Sequence, residues 1–155
     1  MELKVRPYRE SDAKALARLF YDTVHKVNAA DYSPVQLIAW APRVPEERLW
    51  HGRSLTRKVF VAEKRGIVLG FAELEKNGHI DCFYVRHDRV GEGIGRMLFE
   101  TLEVEAHRQR SPRLFAEVSL TAEPFFARMG FVVTERGHMR RRGQSLPYAE
   151  MEKAL

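Results

Sequence analysis

Apolar residues recur every three or four positions in two long segments of the chain, a spacing that places them on one face of an α-helix. In the first segment these residues are Leu16, Leu19, Phe20, Val24 and Val27. In the second, residues 94–108, they are Ile94, Met97, Leu98, Leu102 and Ala106. The spacing predicts two amphipathic helices, each with one face buried in the protein.

Two shorter helices are indicated by residues that favour helix ends. Ser33 and Pro34 suit the N-cap and the first turn of a short helix. Residues 121–129 form another, with Pro124 in the first turn and Gly130 directly after the end. Both segments are therefore expected to pack as short helical elements between strands.

Short apolar runs between these helices predict β-strands. We place strands at residues 3–8, 59–63, 67–75, 79–85 and 114–120, and a final hairpin within 131–151. Glycine-bearing turns of three residues join the second, third and fourth strands, so these should pair as antiparallel hairpins. The order predicts an α/β fold with a mostly antiparallel sheet, in one domain over residues 1–155, and excludes a simple Rossmann repeat.

The amino-acid composition limits the cellular environment that suits this protein and the kinds of metal or disulfide site that it can form. Cys82 is the only cysteine, so no intrachain disulfide or cysteine-rich metal site can form, and the six histidines show no metal-ligand spacing. We therefore expect no metal. The apolar runs are too short for a membrane span and the N-terminus lacks a signal-peptide apolar region, so we expect a cytoplasmic protein with no membrane partner.

The net charge of +5 and the pI of about 9.6 favour anionic partners. Charge alone leaves nucleic acid, an anionic membrane surface and a polyanionic cofactor open. The run Arg140, Arg141 and Arg142 is either a solvated turn or a phosphate or nucleic-acid contact. No helix-turn-helix, zinc signature or interleaved aromatic and basic motif supports binding to nucleic acid, so we expect none.

A glycine-rich turn lies between the strand at 79–85 and the helix at 94–108. The first N–H groups of a helix have no partner within it and carry partial positive charge. Gly91, Gly93 and Gly95 leave those groups accessible to a phosphate, and Arg96 adds charge. The turn is either a pyrophosphate cradle or a tight strand-to-helix connection without a ligand.

Residues 84–105 resemble the cofactor-binding segment of the GNAT superfamily, the general-control-related N-acetyltransferases. The family signature, Gln/Arg-x-x-Gly-x-Gly/Ala, aligns with residues 90–95, where Val90 replaces the Gln or Arg. Residues 6–17 resemble the usual GNAT opening, and residues 115–131 resemble the fifth strand and the helix after it. Residues 25–42 resemble a poorly characterised bacterial subgroup. The resemblance covers nearly the whole chain.

The resemblance implies an N-acetyltransferase with acetyl-CoA as cosubstrate and a sheet splayed between its fourth and fifth strands. Residues implied in coenzyme A binding are Phe83, Tyr84, Val85, Gly91, Gly93, Ile94, Gly95, Arg96 and Phe126. The Val85 N–H is the implied oxyanion donor. We expect the acceptor to be a primary amine of a small molecule, and the family makes a homodimer plausible. Alternatives are a protein or peptide acceptor, or an acetyl-CoA sensor without turnover.

His79 and Asp81 are the candidates for the catalytic base. Strand alternation predicts that both point to the same face as Phe83 and Val85, where some GNAT enzymes carry basic or water-relay residues. A histidine near neutral pKa suits the role. Alternatively, His79 is a solvated turn residue and Asp81 a hydrogen-bonded carboxylate or an anchor for the substrate amine, and Glu73 is a weaker base candidate.

The usual GNAT acid is a tyrosine, and the matching position here is Phe126, which has no proton to donate. Leaving-thiolate protonation would then come from water or from another group, with Tyr148, Tyr84 and Tyr32 as candidates. Phe126 either packs on the pantetheine or is a core aromatic.

The segment that forms the acceptor wall in the superfamily contains Asn28, Asp31, Tyr32 and Trp40. Asn28, Tyr32 and Trp40 are the candidates for substrate binding. Trp40 could instead be a core residue, and Asp31 is better explained as a cap or turn residue.

Overall fold

The computed structural model describes residues 2–155, a mixed α/β arrangement of strands and helices. The strands are β1 Lys4–Pro7, β2 Lys58–Lys64, β3 Ile67–Leu74, β4 Ile80–Val85, β5 Arg113–Ser119, β6 Val132–Arg141 and β7 Gln144–Ala154. The α-helices are α1 Ala13–Lys26, α2 Pro34–Trp40, α3 Glu47–Gly52, α4 Ile94–Arg108 and α5 Glu123–Arg128. This order confirms the predicted fold class. No helix within residues 2–155 has the length and apolar character needed to span a membrane.

The strands form two antiparallel sheets rather than one continuous sheet. The first has the order β1-β2-β3-β4 and the second the order β5-β7-β6. Between them, β4 and β5 meet at a single parallel bridge of His79 with Phe115, where the Phe115 N–H donates to the Gly78 carbonyl at 3.0 Å. Beyond this junction the two strands diverge, which confirms the predicted splay.

Gly78 makes the junction possible. Its φ of +91° lies in the left-handed region, and a Cβ atom there would be 2.1 Å from the Arg113 carbonyl oxygen. A larger residue at this position would therefore push β5 away from β4 at the one β-bridge that joins the two sheets within residues 2–155.

Helices cover both faces of the first sheet. The buried face of α4 contributes to a core shared with both sheets: Ile94, Leu98, Phe99, Leu102 and Ala106. On the opposite face, α1 and α3 pack through Leu16, Leu19 and Trp50 against Val61 and Phe71. The predicted helix bounds 94–108 are those of α4. The sheets are thus held between helices, and the β4–β5 cleft opens at their edge.

A β-bulge in β4 changes the predicted direction of its side chains. The pairs Ala72–Phe83 and Leu74–Ile80 leave one residue of β3 opposite two residues of β4. A bulge of this kind shifts the alternation by one position. Ile80 therefore shares the α4 face with Phe83 and Val85.

The prediction that His79 and Asp81 share a face with Phe83 and Val85 is consequently wrong. The Asp81 carboxylate accepts hydrogen bonds from two arginines of the 53–57 segment, on the α3 side of the sheet. His79 hydrogen-bonds Glu117, whose neighbours along β5 alternate into the α4-side core. Alternation failed because the bulge depends on cross-strand pairing, which no local pattern records.

Candidate active site

A cavity of about 490 Å³ lies in the cleft between β4 and β5. The start of α4 and the short helix α5 close its sides. All of the residues predicted to bind coenzyme A line it: Phe83, Tyr84, Val85, Gly91, Gly93, Ile94, Gly95, Arg96 and Phe126. Asn28 lines it as well, whereas His79, Asp81, Tyr32 and Trp40 do not.

Main-chain groups at the end of β4 face this cavity. The Arg86 N–H donates to the Leu69 carbonyl at 2.8 Å, so these residues form a hydrogen-bonded pair of the antiparallel ladder. Gly70 and Val85 are the adjacent pair and are therefore not hydrogen-bonded to each other. The N–H and C=O of Val85 consequently point away from β3, into the space from which β5 has diverged. An extended ligand can pair with such groups as an added strand would.

The glycine turn gives the cavity an accessible helix N-terminus. Gly91 and Gly93 have φ values of +89° and +84°, and no atom lies within 4 Å of the position that a Cβ would take at either residue. The first helical bond of α4 runs from the Met97 N–H to the Gly93 carbonyl, at 3.2 Å. The N–H groups of the first turn before Met97 are therefore free to bind an anion.

Gly95 serves packing at the same turn. A Cβ at Gly95 would lie 3.0 Å from the Phe125 ring, which stacks over the start of α4. Phe125 in turn packs against Phe83, with 5.4 Å between ring centroids. The glycine thus lets α5 approach α4 and form one wall of the cavity.

The polar lining suits an anionic, extended molecule. Arg89, Arg96 and Arg128 line the cavity, and among the described residues no carboxylate side chain does. Thr121 Oγ1 is buried in the wall and has no hydrogen-bond partner in the described part of the chain. A buried hydroxyl without a partner is unfavourable, so a ligand that hydrogen-bonds it would stabilise the site.

Helix α1 and the turn after it connect the two walls of the cleft. Thr23 Oγ1 donates to the Val85 carbonyl at 3.0 Å. Five residues further along, Asn28 Nδ2 donates to Ser119 Oγ at 3.2 Å, at the end of β5. Both side chains are buried. This one segment therefore sets the distance between the strand ends at the open end of the cleft, around Val85 and Ser119.

His79 lies instead at the closed end of the cleft, beside the β4–β5 junction. Its Nδ1 is 2.6 Å from a Glu75 carboxylate oxygen and its Nε2 is 2.8 Å from a Glu117 carboxylate oxygen. The hydrogen bond with Glu117, with that of Glu75, raises the pKa of His79 to about 9 against the opposing effect of burial. The ring is therefore a cation at neutral pH with both nitrogens occupied, which argues against a role as base.

Asp81 belongs to a network of ion pairs on the α3 side of the sheet. Its carboxylate is 2.7 Å from Arg57 Nε and 3.1 Å from Arg53 Nη2. Arg53 also binds Glu73 at 2.7 Å and contacts the Cys82 sulfur at 3.2 Å. The acidic residues and the thiol lie close enough to resemble a metal-ligand set, but the guanidinium already supplies the cation that they surround.

Cys82 and Phe126 are buried. Burial raises the pKa of the Cys82 thiol well above its ordinary value, as expected of a small core residue. Phe126 is 4% exposed and packs edge-on against Phe83 and Phe131, at centroid distances of 5.6 and 5.1 Å. It combines both interpretations offered by the sequence, because it is a core aromatic whose ring edge also lines the cavity.

Tyr32 and Trp40 hold the α1–α2 segment against the second sheet. The Tyr32 hydroxyl donates to the Pro147 carbonyl at 2.6 Å and accepts the Leu120 N–H at 3.0 Å. The Trp40 ring packs edge-on against the Tyr32 ring, 5.3 Å away. The Tyr32 hydroxyl therefore cross-links the segment before α2 to β7 and to the residue that follows β5.

A family model described as an acetyltransferase (GNAT) domain matches residues 28–155. The chain belongs to the GNAT acetyltransferase family. This acetyltransferase is 28% identical over 141 residues to the uncharacterized N-acetyltransferase YafP of Escherichia coli K12, which covers 91% of this chain and 89% of that protein.

Solved structures show the same relationship. A GCN5-related N-acetyltransferase from Rhodopseudomonas palustris is 32% identical, with a TM-score of 0.94, over 100% of this chain and 97% of that one. The PaiA N-acetyltransferase of Thermoplasma acidophilum, solved in complex with coenzyme A, shares the fold, with a TM-score of 0.81 at 18% identity and full coverage of both chains. The chain is accordingly an N-acetyltransferase.

Several residues of the cavity were not anticipated from the sequence: Thr23, Val27, Arg89, Ser119, Thr121, Ala122, Pro124, Phe125, Arg128 and Met129. Most come from helix α1 or from the segment after β5, which carries no glycine-rich signal. Position alone could have found Ser119, because the last residue of a strand beside a splayed neighbour faces the opening.

Proposed function

We propose that the enzyme uses acetyl-CoA to acetylate a primary amine of a small molecule, by direct attack of the amine on the thioester. The observation that carries this proposal is the coincidence, in one cavity, of main-chain groups at the end of β4 that point away from β3 with the glycine-lined N-terminus of α4. The first would hold an amide-containing arm and the second a diphosphate, as coenzyme A requires. The PaiA N-acetyltransferase, which shares the fold, was solved in complex with coenzyme A, and this supports coenzyme A as the ligand.

In this proposal each part of the cosubstrate has partners of matching chemistry. The free N–H groups of residues 94–96 hold the diphosphate, with Arg89 and Arg96 adding positive charge at the rim. The main chain of Phe83 and Val85 pairs with the pantetheine arm. The Val85 N–H then donates to the thioester oxygen as it becomes an oxyanion.

We expect no protein side chain to act as the base that deprotonates the acceptor amine. Within the described residues, no aspartate, glutamate or histidine lines the cavity. The amine therefore enters as the neutral form or loses its proton to water, and its nitrogen attacks the thioester carbon. The reaction rate should follow the ionisation of the amine itself.

The hydrogen bonds between the α2 region and β7 support a small molecule, and not a folded protein, as the acceptor. Gln36 Nε2 donates to the Ser145 carbonyl at 2.9 Å, and Tyr32 bridges to Pro147, so helix α2 is tied to β7. Arg142, from the arginine run, donates to the Ala39 carbonyl at 2.6 Å and strengthens the same contact. A wall fixed in this way favours a slender amine over a flat protein surface.

The test begins with isothermal calorimetry of coenzyme A, followed by thiol release from acetyl-CoA across a panel of small amines and a matched panel of peptides. Binding together with amine-dependent thiol release from a small molecule is the expected result. Absence of coenzyme A binding would overturn the proposal. Turnover with peptides alone would overturn the small-molecule acceptor while leaving the cosubstrate in place.

A further inference from the structure

The side chain of Ser119, at the open end of the cleft, has an unusual hydrogen-bond environment. Its Oγ accepts the Ala122 N–H at 3.1 Å and Asn28 Nδ2 at 3.2 Å. A serine hydroxyl has two acceptor positions and one hydrogen to donate. Both acceptor positions are taken by buried or main-chain donors, so the hydroxyl can act only as a donor toward any third group.

That third group must come from the cavity. Ser119 lines the cavity, and no described residue accepts a hydrogen bond from its hydroxyl. The hydroxyl hydrogen of this partly buried side chain is therefore available to donate to a molecule bound in the cavity.

Strand register places Ser119 within one residue of the level of Val85, the candidate oxyanion donor. Counting from the bridge of His79 with Phe115, Ser119 lies four residues along β5 and Val85 six along β4, of which the β4 bulge absorbs one. Thr23 and Asn28 hold the two strand ends at this level. Two donors, one from each wall, therefore face the same stretch of the cleft.

From this arrangement we infer that Ser119 is a catalytic residue that donates a hydrogen bond to the sulfur of the leaving coenzyme A, and that Asn28 is the positioning residue that aims it. The inference rests on the proposed function. Ser119 would supply the donor that Phe126 lacks. The bond from amine nitrogen to carbonyl carbon forms, the carbon–sulfur bond breaks with its electron pair on sulfur, and the proton lost by the amine goes to water.

The main test measures the bound thiol rather than turnover. The ultraviolet absorbance of the thiolate reports ionisation of coenzyme A bound to the enzyme, with desulfo-coenzyme A, which lacks the sulfur, as the blank. Ser119→Ala should shift the titration of the bound thiol to higher pH, because the thiolate loses a donor, and Ser119→Thr should restore it. Ser111→Ala, which changes a serine away from the cavity, is the control.

Kinetics give a second measurement. Ser119→Ala should lower kcat by roughly a hundredfold, as removal of one transition-state donor does, with little change in the KM for acetyl-CoA. A loss of coenzyme A affinity with unchanged kcat and an unchanged thiol titration would overturn the inference, because Ser119 would then only anchor the pantetheine.

Asn28→Asp tests the positioning role. A carboxylate would accept the Ser119 hydrogen and turn the hydroxyl away from the cavity, so this variant should titrate like Ser119→Ala and add nothing in the double variant. An Asn28→Asp enzyme that titrates like the parent would overturn the role of Asn28. If the parent enzyme failed to bind coenzyme A, the proposed function itself would be overturned. If the parent bound coenzyme A but Ser119→Ala left the titration of the bound thiol unchanged, only the inference about Ser119 would be overturned.

Discussion

The closed and open ends of the β4–β5 cleft differ in whether their polar groups have partners within the protein. At the closed end His79 is bonded to charged partners within the protein, as are Asp81 and Glu73 beside it on the α3 side of the sheet. At the open end, the Val85 N–H points away from β3 into the cleft, and the Ser119 hydroxyl, which lines the cavity, keeps one hydrogen to donate. The closed end has the residues that look catalytic in a sequence, and the open end has the groups that remain available for chemistry.

This comparison shows that the candidate site is marked by polar groups that have no partner within the protein, more than by the type of residue that carries them. A charged side chain that is paired in the folded protein stabilises the structure and has little capacity left for a substrate. An uncharged group without a partner, held in place by its neighbours, is pre-organised for a ligand. Four variants test whether the paired groups stabilise the fold and the unpaired groups serve the ligand.

The largest effect is expected from Arg53→Met, on the α3 side of the sheet beside the closed end. Glu73, whose side chain is 1% exposed, would lose its two-pronged partner and keep only the longer contact with Arg57 at 3.7 Å. Breaking such a pair should lower the free energy of unfolding by about 3 kcal/mol in urea titrations. Arg108→Met, which removes an exposed partner of Glu105, is the control and should cost little. A parent-like midpoint for Arg53→Met would refute the structural role.

At the open end, Gly93→Leu should weaken coenzyme A binding by roughly a hundredfold in calorimetry, since the side chain would displace the diphosphate from several charge-assisted hydrogen bonds. The matched control is Gly66→Leu. Gly66 also has a positive φ and open space around it, but it lies in the β2–β3 turn. Equal affinity losses in the two variants would show that backbone strain, and not the cradle, was responsible.

His79→Gln tests whether the closed end is a structural clasp. A folded-state pKa of about 9 against an ordinary 6.5 means that protonated His79 stabilises the fold fully below pH 6.5. That stabilisation is lost as the pH rises through about 9. The variant should therefore be less stable than the parent by about 2 kcal/mol at pH 6, with the difference vanishing near pH 10 in urea titrations.

His107→Gln, at an exposed position on α4, is the control for that series and should destabilise the protein less than His79→Gln at pH 6. A stability difference for His79→Gln that stayed constant from pH 6 to pH 10 would mean that the ring acts by packing on Phe115 and not by charge.

The smallest effect is expected on the pH dependence of catalysis. If the closed end supplies no base, His79→Gln and Asp81→Asn should keep the parent's profile of kcat/KM against pH, which should instead follow the ionisation of whichever amine is used. Comparing two amines of different basicity checks this. A profile that lost its acid limb in either variant would restore that residue as the base.

The fold was largely predictable from the sequence because its signals are local. Helical spacing placed α4 at residues 94–108, the Ser33–Pro34 cap began α2, and glycine-bearing turns gave the hairpins. The site was partly predictable. The glycine turn and the end of β4 line one cavity, since the direction of their main-chain groups follows from the element order.

The remaining features depend on contacts between distant residues. The bulge opposite Glu73 reversed the direction of Asp81, and Glu117 occupied the imidazole of His79 from 38 residues away. The Asn28–Ser119 contact joins positions 91 residues apart. No pattern within one element records such pairings.

The sequence by itself determined which segments are helices and strands, and where a phosphate could meet a bare helix start, because backbone dihedrals and periodicity act over a few residues. The tertiary structure alone decided which polar groups are paired and which are free. That distinction depends on how two diverging strands and one bridging helix meet in space, and at this cleft it separates stabilising residues from those available to a substrate.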